Sequence, residues 1–407
     1  MKYGLLGEKL SHSYSPQIHK HLANYNYTLF EKKPTELEHF LQHGDFAGIN
    51  VTIPYKKAVI PFCCELTPIA KKLNAVNTIV RRTDGSLIGH NTDYFGFFSM
   101  LRRTHLNVDG KKVLVLGSGG ASATAVCVLQ ELGAQVVVIS RSGVNNYHNL
   151  HLHADAAVIV NTTPVGMFPN TGVSPLSLRD FPNLEGVLDM IYNPHRTKLL
   201  MEAERRGIVT VNGLYMLVAQ AKESAEWFSG QSIPDRLIEA VYTKLMSQIN
   251  NLVLIGMPGS GKTTVGKILA DQTGKKFVDS DDEIVKKAGM SISDIFKSLG
   301  EPEFRKLERE VLAELGKQSG LIIATGGGCV TSQENYDFLH QNGTIIWLQR
   351  PIHLLPKNGR PLSQSSDLNS MYRQREPIYR AFSDYAVDNT ATPLEAAKMI
   401  LVKESLL

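Results

Sequence analysis

A chain of 407 residues, 43% hydrophobic and 20% charged, is long enough for two or three domains and ordinary in composition for a globular protein. Its net charge of +4 is not gathered into any Lys/Arg block, which argues against a nucleic-acid partner but suits small anionic ligands. No apolar run approaches the roughly 18–20 residues of a membrane span, the N-terminus lacks the apolar core of a signal peptide, and Cys63, Cys64, Cys127 and Cys329 fit neither a metal spacing nor a disulfide framework. A cytoplasmic protein without a membrane or nucleic-acid partner is expected.

In chain order, residues 2–7 predict a short strand, and the loop Ser11-His12-Ser13-Tyr14-Ser15-Pro16 precedes a helix over 17–25. Strands over 27–30 and 48–53 flank a helix over 35–41, and this alternation predicts a parallel α/β layer. The second strand runs out through Thr52 and Pro54 to Lys56. Asp84-Gly85 marks a tight turn between strands over 79–81 and 87–89, with Asn77 before the pair and Asn91-Thr92-Asp93 after it. Amides and hydroxyls gathered at strand ends suit a polyhydroxy ligand.

At residue 113 the pattern changes. A strand over 113–116 runs into Gly117-Ser118-Gly119-Gly120-Ala121-Ser122 and then a helix to residue 132. In this strand–turn–helix context the first glycine makes the turn and the second admits a pyrophosphate. The next strand, 135–139, ends in Ser140-Arg141-Ser142, where an NAD-binder would usually carry an acid for the ribose; a guanidinium and two hydroxyls suit the 2′-phosphate of NADP. Further strands over 156–161 and 186–190 end at Thr162 and Met190, a helix spans 198–206, a strand spans 209–211, and Gly213 opens a helix carrying Tyr215 and Gln220. Gly117, Gly119, Gly120, Ala121, Ser140, Arg141 and Ser142 are the expected contacts of this cofactor.

A helix from Pro234 to near Met246 and a linker over 247–250 lead to an apolar strand at 252–255. That strand feeds Gly256-Met257-Pro258-Gly259-Ser260-Gly261-Lys262-Thr263, which fits G-x-x-x-x-G-K-[ST] between a strand and a helix. Such a loop turns backbone N–H groups onto a phosphate; Lys262 reaches the outer phosphates and Thr263 can ligate Mg²⁺, with Thr264 alongside. A short strand at 277–278 ends in Asp279-Ser280-Asp281-Asp282, carboxylates placed to serve Mg²⁺ or a nucleophilic hydroxyl. A helical region carries Phe304-Arg305, a strand over 321–324 ends in Thr325-Gly326-Gly327-Gly328, and 344–348 is read as the last core strand. A polar loop with Lys357, Gly359 and Arg360 and a segment with Arg373, Arg375, Pro377 and Tyr379 close the chain.

These residues carry two resemblances. Residues 1–246 resemble shikimate dehydrogenase through Ser13-x-Ser15-Pro16, Asn50-Val51-Thr52-x-Pro54-x-Lys56, Ala75-Val76-Asn77-Thr78, Asn91-Thr92-Asp93, the 117–122 turn and residues 213–220. From about residue 250 the chain resembles shikimate kinase through its phosphate loop, Asp279-x-Asp281, Phe304-Arg305, Gly326-Gly327-Gly328, Arg360-Pro361-Leu362 and Arg375-x-Pro377-x-Tyr379. The first resemblance implies a parallel α/β substrate domain (1–97 and 213–246) and a Rossmann-like NADP domain (98–212). It implies proton transfer by Lys56 and Asp93, and substrate contacts from Ser13, Ser15, Thr52, Asn77, Gln220 and Tyr215. It adds Thr162, Met190 and Gly213 to the cofactor contacts. The second implies a P-loop kinase domain over 251–407 with a central parallel sheet. There Asp281 would be the base, Arg305 and Arg375 the carboxylate ligands, Gly327 and Gly328 the backbone against the ring, and Arg360 the lid arginine. Lys262, Thr263 and Asp279 would serve ATP and Mg²⁺, together with the loop backbone from Gly256 through Gly259, Ser260 and Gly261.

The implied activity is NADPH-dependent reduction of 3-dehydroshikimate to shikimate followed by ATP-dependent 3-phosphorylation. The alternatives are an NAD-using quinate/shikimate oxidoreductase fused to the same kinase, and a non-catalytic ATP- or quinate-sensing regulator. Four departures stand out: Val144-Asn145-Asn146 offers no second basic residue after Arg141, the segment from Ser142 to Asp155 is short for its helix, Tyr94 stands where glycine is usual, and the lid at 351–359 is short.

Overall fold

The structure, a computed structural model, describes residues 2–10, 13–355 and 368–406. Contacts divide the chain into two units. The first comprises Met1–Met167, Val173–Tyr192 and Leu199–Leu245; the second takes Met246–Leu407 together with Phe168–Gly172 and Asn193–Lys198.

The first unit opens with β1 (Tyr3–Gly7), α1 (Ser15–Leu22), β2 (Tyr27–Glu31), α2 (Leu37–His43), β3 (Gly48–Val51), β4 (Glu65–Leu66), α3 (Pro68–Leu73), β5 (Thr78–Arg81), β6 (Leu87–His90) and α4 (Asp93–Arg103). The strands form one sheet in the order β2-β1-β3-β5-β6-β4. β2, β1 and β3 run parallel, as their alternation with helices predicts, and β5 pairs antiparallel with β3 and with β6. The tight turn at Asp84-Gly85 makes β5 and β6 a hairpin, and a hairpin can extend a parallel sheet only by reversing one strand. Leu6, Phe40, Leu41, Ile49, Val51, Val76 and Ile79 pack one core against this sheet.

The same unit continues with β7 (Lys112–Leu116), α5 (Gly120–Glu131), β8 (Gln135–Ile139), β9 (Val158–Asn161), β10 (Gly186–Asp189), α6 (Lys198–Arg205), β11 (Val209–Asn212), α7 (Gly213–Ser229) and α8 (Arg236–Ile249). Its second sheet, β11-β10-β9-β7-β8, is parallel throughout. β7 shows why its sequence reads as a continuous apolar run. Val113 and Val115 enter the core that holds Phe97, Met100 and Val128, while Leu114 and Leu116 enter the opposite one with Ile159, Phe181 and Leu199. A strand buried on both faces has no polar side to show, and each such side chain contributes roughly 1.5–3 kcal/mol by burial. Between Ser142 and Asp155 the described secondary structure is one short 3₁₀ turn, Leu150–His153.

The expected linker is largely helix. α8 continues to Ile249 and the next strand starts at Asn251, because Ser247-Gln248-Ile249 contains no helix breaker and Ile249 is buried. The expected dinucleotide domain over 98–212 also cedes residues to the second unit. There the His195 N–H donates to Asn342 Oδ1 at 2.8 Å, and Arg196 Nη1 donates to the carbonyls of His340 and Gly343 at 3.1 and 3.3 Å.

The second unit runs β12 (Asn251–Ile255), α9 (Lys262–Thr273), β13 (Lys276–Asp279), α10 (Ser280–Ala288), α11 (Ile292–Ser298), α12 (Gly300–Gly316), β14 (Leu321–Ala324), α13 (Glu334–His340), β15 (Gly343–Gln349), α14 (Leu368–Phe382), β16 (Tyr385–Asp388) and α15 (Pro393–Lys403). All its pairings are parallel, in the order β13-β14-β12-β15-β16. β15 is therefore not the last core strand; β16 follows as the sheet edge. Leu252 and Leu254 pack to one face with α9 and α15, Val253 and Ile255 to the other with Phe304, Leu312 and Tyr379. Among the described residues no helix is long and apolar enough to cross a membrane.

Candidate active sites

In the first unit, the chain leaving β3 carries Lys56 back toward the start of α4. Lys56 Nζ donates to Asp93 Oδ2 at 2.6 Å, and both side chains are partly exposed. Asp93 is fixed from its own backbone: its N–H donates to Asn91 Oδ1 at 3.0 Å, and Asn91 Nδ2 is anchored on the Ala75 carbonyl at 2.9 Å. Gly96, one turn along α4, lets α7 approach closely; a Cβ there would meet the Met216 carbonyl at 2.8 Å and Gln220 Cβ at 3.0 Å.

That approach brings Gln220 to the strand ends. Thr92 Oγ1 donates to Gln220 Oε1 at 3.3 Å, the Thr92 N–H donates to Asn77 Oδ1 at 2.8 Å, and Asn77 Nδ2 donates back to Thr92 Oγ1 at 3.0 Å. Behind them Asn50 Nδ2 donates to Ser224 Oγ at 2.7 Å and Thr78 Oγ1 at 3.1 Å, while Tyr27 Oη donates to Asn50 Oδ1. Ser13 Oγ accepts the Ser15 N–H at 3.2 Å, and the Thr52 N–H is held by the Leu6 carbonyl at 2.9 Å. The Tyr215 ring sits 4.8 Å from the Arg103 guanidinium and 5.5 Å from the Tyr242 ring.

The glycine turn after β7 is an open cradle. Gly117 has φ +109°, which an L side chain rarely adopts, and a Cβ there would come within 2.7 Å of Thr162 Oγ1. A Cβ on Gly119 or Gly120 would meet nothing within 4 Å, so backbone faces open space at the start of α5. Gly213 packs so tightly that a Cβ would lie 2.0 Å from the Met190 carbonyl, bringing those two expected contacts together. Ala121 follows on α5; Ser140, Arg141 and Ser142 follow β8, with Arg141 and Ser142 exposed. Tyr94 anchors the other side: its hydroxyl and Lys72 Nζ both bond Glu131 of α5.

In the second unit, the loop after β12 has the glycine conformations its motif requires, with φ of +144°, +85° and +94° at Gly256, Gly259 and Gly261. Lys262 is buried, and its Nζ donates to the carbonyls of Gly256 and Met257 at 2.9 and 3.0 Å. Asn389, just past β16, donates from Nδ2 to the Ser260 carbonyl at 2.7 Å and lies where a Gly261 side chain would go. Thr263 Oγ1 donates to Asp279 Oδ2 at 2.9 Å, and Asp279 Oδ1 caps α10 at the Asp281 N–H. Thr264 is exposed beside Thr263.

The second half of this site gathers on the glycine triplet. A Cβ on Gly326 would meet Asp281 Oδ1 at 2.8 Å and Glu308 Oε1 at 3.2 Å, so both carboxylates face that backbone. On Gly328 it would meet the Arg305 guanidinium at 2.5 Å, and on Gly327 it would meet Pro258 of the phosphate loop at 2.7 Å. Arg375 Nη1 donates to the Gly327 carbonyl at 3.2 Å, and Tyr379 Oη bonds the same oxygen. Glu308, 1% exposed, holds Arg305 Nη1 at 2.7 Å. Burial raises its carboxyl pKa, Arg305 opposes that shift, and the Asp281 charge adds to it. Arg360 lies outside the described residues, as do Lys357 and Gly359 of the same loop.

A shikimate dehydrogenase (NADP⁺) of Clostridium perfringens is 36% identical over 265 residues, which cover 60% of this chain and 97% of that protein. The chain belongs to the shikimate dehydrogenase family. The family model of the shikimate dehydrogenase substrate binding domain matches residues 5–79, and that of shikimate kinase matches residues 258–403. The chain is thus an enzyme with a dehydrogenase part and a kinase part. Among solved structures, shikimate dehydrogenase 1 of Peptoclostridium difficile is 37% identical with a TM-score of 0.56, covering 60% of this chain and 97% of its own. The Thermus thermophilus shikimate dehydrogenase, solved with NADP(H) and shikimate, is 28% identical with a TM-score of 0.55, covering 60% and 99%.

Sequence reasoning missed several residues of the two sites. In the dehydrogenase part these are Ser224, beneath Asn50 and Thr92, and the His90–Glu223 pair. His90 Nδ1 lies 2.9 Å from Thr67 Oγ1, its Nε2 lies 3.5 Å from Glu223 Oε1, and its ring stacks on Trp227 at 4.3 Å. In the kinase part they are Glu308 and Asn389. Glu308 had a readable signal, since three residues after Arg305 on a helix is the same face; Asn389 had none.

Proposed function

We propose that the first part of this chain reduces 3-dehydroshikimate to shikimate with NADPH, and that the second phosphorylates the 3-hydroxyl of shikimate with ATP and Mg²⁺. The substrate lobe would be 1–97 with 213–246, the dinucleotide lobe 98–212, and the kinase 251–407. The observation that carries the reading is the Lys56–Asp93 contact at 2.6 Å. It pairs an ammonium donor with a carboxylate at the mouth of a hydroxyl- and amide-lined site. A carbonyl that gains hydride becomes an alkoxide and needs a proton, which Lys56 Nζ donates while Asp93 orients it and shares in its recharging. Ser13, Ser15, Thr52, Asn77 and Gln220, with Tyr215, hold the ring hydroxyls and carboxylate. NADPH supplies the hydride when bound. The open backbone at Gly119 and Gly120 fits its pyrophosphate, and Arg141 with Ser140 and Ser142 fits the 2′-phosphate.

In the second part Asp281 orients the acceptor hydroxyl and accepts its proton, while Arg305 and Arg375 bind the substrate carboxylate over Gly327 and Gly328. Lys262 and the loop amides hold the phosphates, and Arg360, by its motif alone, is assigned to the same phosphates. Mg²⁺, when bound, neutralises charge on the phosphates. The paired hydroxyl and carboxylate of Thr263 and Asp279 are the hard oxygen donors that ion prefers. We infer a cytoplasmic setting because all four cysteines are free thiols, two of them buried.

The test supplies 3-dehydroshikimate, NADPH, ATP and Mg²⁺ to the full chain and follows NADPH absorbance and shikimate 3-phosphate together. Both must change. Loss of NADPH without phosphorylated product, or ADP release that ignores added shikimate, would refute the pairing.

A further inference from the structure

Behind the dehydrogenase site, one buried oxygen ties four elements together: α7, β3, β5 and the residue that opens α4. It is the Oγ of Ser224, a fully buried side chain. Ser224 follows Gln220 by one helical turn, and its Oγ donates to the Gln220 carbonyl at 2.9 Å. That bond commits its single proton, so toward its other neighbours the oxygen can only accept. Three donors surround its two lone pairs: Asn50 Nδ2 at 2.7 Å, Thr78 Oγ1 at 3.0 Å and Thr92 Oγ1 at 3.1 Å.

The shortest of these bonds, from Asn50, takes one lone pair, and the nearer hydroxyl, Thr78, takes the other. Thr92 then has its proton for Gln220 Oε1 at 3.3 Å while its oxygen accepts from Asn77 Nδ2 at 3.0 Å. Asn77 Oδ1 accepts the Thr92 N–H at 2.8 Å and keeps its second lone pair, because Thr78 Oγ1, 3.1 Å away, donates to Ser224 instead. Without the Ser224 oxygen, Asn50 Nδ2 falls back on Thr78 Oγ1 at 3.1 Å. The Thr78 proton must then turn to Asn77 Oδ1, and that amide loses the lone pair it had to offer.

We propose that Ser224 is a positioning residue of the dehydrogenase site, a role that rests on the activity proposed above. It draws the Thr78 proton away from Asn77 and leaves the Thr92 proton to Gln220. The Asn77 amide is thereby left with one lone pair and one N–H for a hydroxyl of the substrate, and Gln220 is held in a single orientation. Ser224 itself touches neither substrate nor cofactor; it acts through the two threonine hydroxyls.

The test follows reduction of 3-dehydroshikimate by NADPH in the full chain. Ser224→Ala should raise KM for 3-dehydroshikimate about tenfold, the worth of roughly one hydrogen bond, while kcat and KM for NADPH stay within about twofold. In a Gln220→Ala background the same change should add about threefold or less, because the amide that Thr92 directs is gone. An unchanged KM for 3-dehydroshikimate, or kcat and both KM values shifting together, would overturn the proposal. So would the full effect persisting in the Gln220→Ala background. Should Ser224→Ala fail to fold, Ser224→Cys, close in volume but a weak donor and acceptor, replaces it: KM for 3-dehydroshikimate should rise about threefold, and no rise overturns the proposal. A wild-type chain that does not turn over refutes the activity itself, whereas an active wild type with an indifferent Ser224→Ala refutes the role of Ser224 alone.

Discussion

Replacing Lys56 by alanine should separate catalysis from folding. The Lys56–Asp93 pair is short, but the side chains are 32% and 18% exposed, so solvent screens it and its loss costs roughly 1 kcal/mol of stability or less. The backbone at Lys56 keeps its role, accepting the Val76 N–H at 2.8 Å. The variant should therefore fold. What it loses is the proposed proton donor. Positioned acid–base groups contribute about 10²–10⁴ in rate, roughly 3–5.5 kcal/mol. The kcat/KM for 3-dehydroshikimate should fall about a thousandfold, mostly in kcat, when NADPH absorbance is followed. Lys56→Arg should not rescue it, because a guanidinium keeps its proton at any accessible pH. Asp93→Asn should also be impaired, and the double variant should be little worse than the worse single one if the two act as a unit. Kinase turnover in the same sample, read by ADP release on added shikimate, should stay at the wild-type level. A loss of less than tenfold, or kinase activity falling in step, would refute the role assigned to Lys56.

Four further outcomes follow from the geometry. Arg141→Ala should weaken NADPH by about 10- to 100-fold relative to NADH, the worth of a charge-assisted phosphate contact, and equal rates with both cofactors in the wild type would count against that contact. Gly261→Ala forces a side chain at φ +94° into Asn389 Nδ2, 2.5 Å away, and should abolish ATP-dependent phosphorylation while dehydrogenase turnover persists. Thr263→Ala should raise the Mg²⁺ concentration for half-maximal kinase activity, whereas an unchanged Mg²⁺ titration would remove Thr263 from the metal site. Full burial lowers the His19 pKa from 6.5 to about 3, opposed only in part by the nearby Asn50 side chain. Between those values the unfolded chain takes up a proton the native chain refuses, so stability is lost as pH falls through that window, by up to about 5 kcal/mol, and nothing changes above it. Urea midpoints of dehydrogenase activity from pH 7 to 4 should show this slope in the wild type and a shallower one in His19→Phe.

The residues given chemical roles were legible because both active sites are built at strand ends. In a parallel sheet the strands deliver their C-terminal ends to one edge, so local strings such as the glycine turn after β7 or Asp279-x-Asp281 after β13 already contain the reacting groups. What the sequence hid has a common character. The β5–β6 hairpin is legible from Asp84-Gly85, but its pairing with β3 is not, because a hairpin's partner strand is a matter of tertiary pairing. β16 is hard to read because it has four residues at a sheet edge, of which only Val387 is buried. The 247–250 segment read as a linker on its polar composition, although burial of Ile249 continues the helix.

The same division applies inside the sites. Lys56, Asp93, Lys262 and Asp281 sit in motifs of a few residues. Their supports come from far along the chain: Ser224 reaches Asn50 across 174 residues, and Asn389 reaches Ser260 across 129. A motif can list the groups that react, but their spacing is held by buried amides whose partners are chosen only when the sheets form. The sensitivity to mutation should split accordingly. Changes at the motif residues should lower kcat with folding intact. Asn50→Ala and Asn389→Ala should instead lower stability and raise KM together, since each leaves a buried partner unsatisfied at about 1–3 kcal/mol.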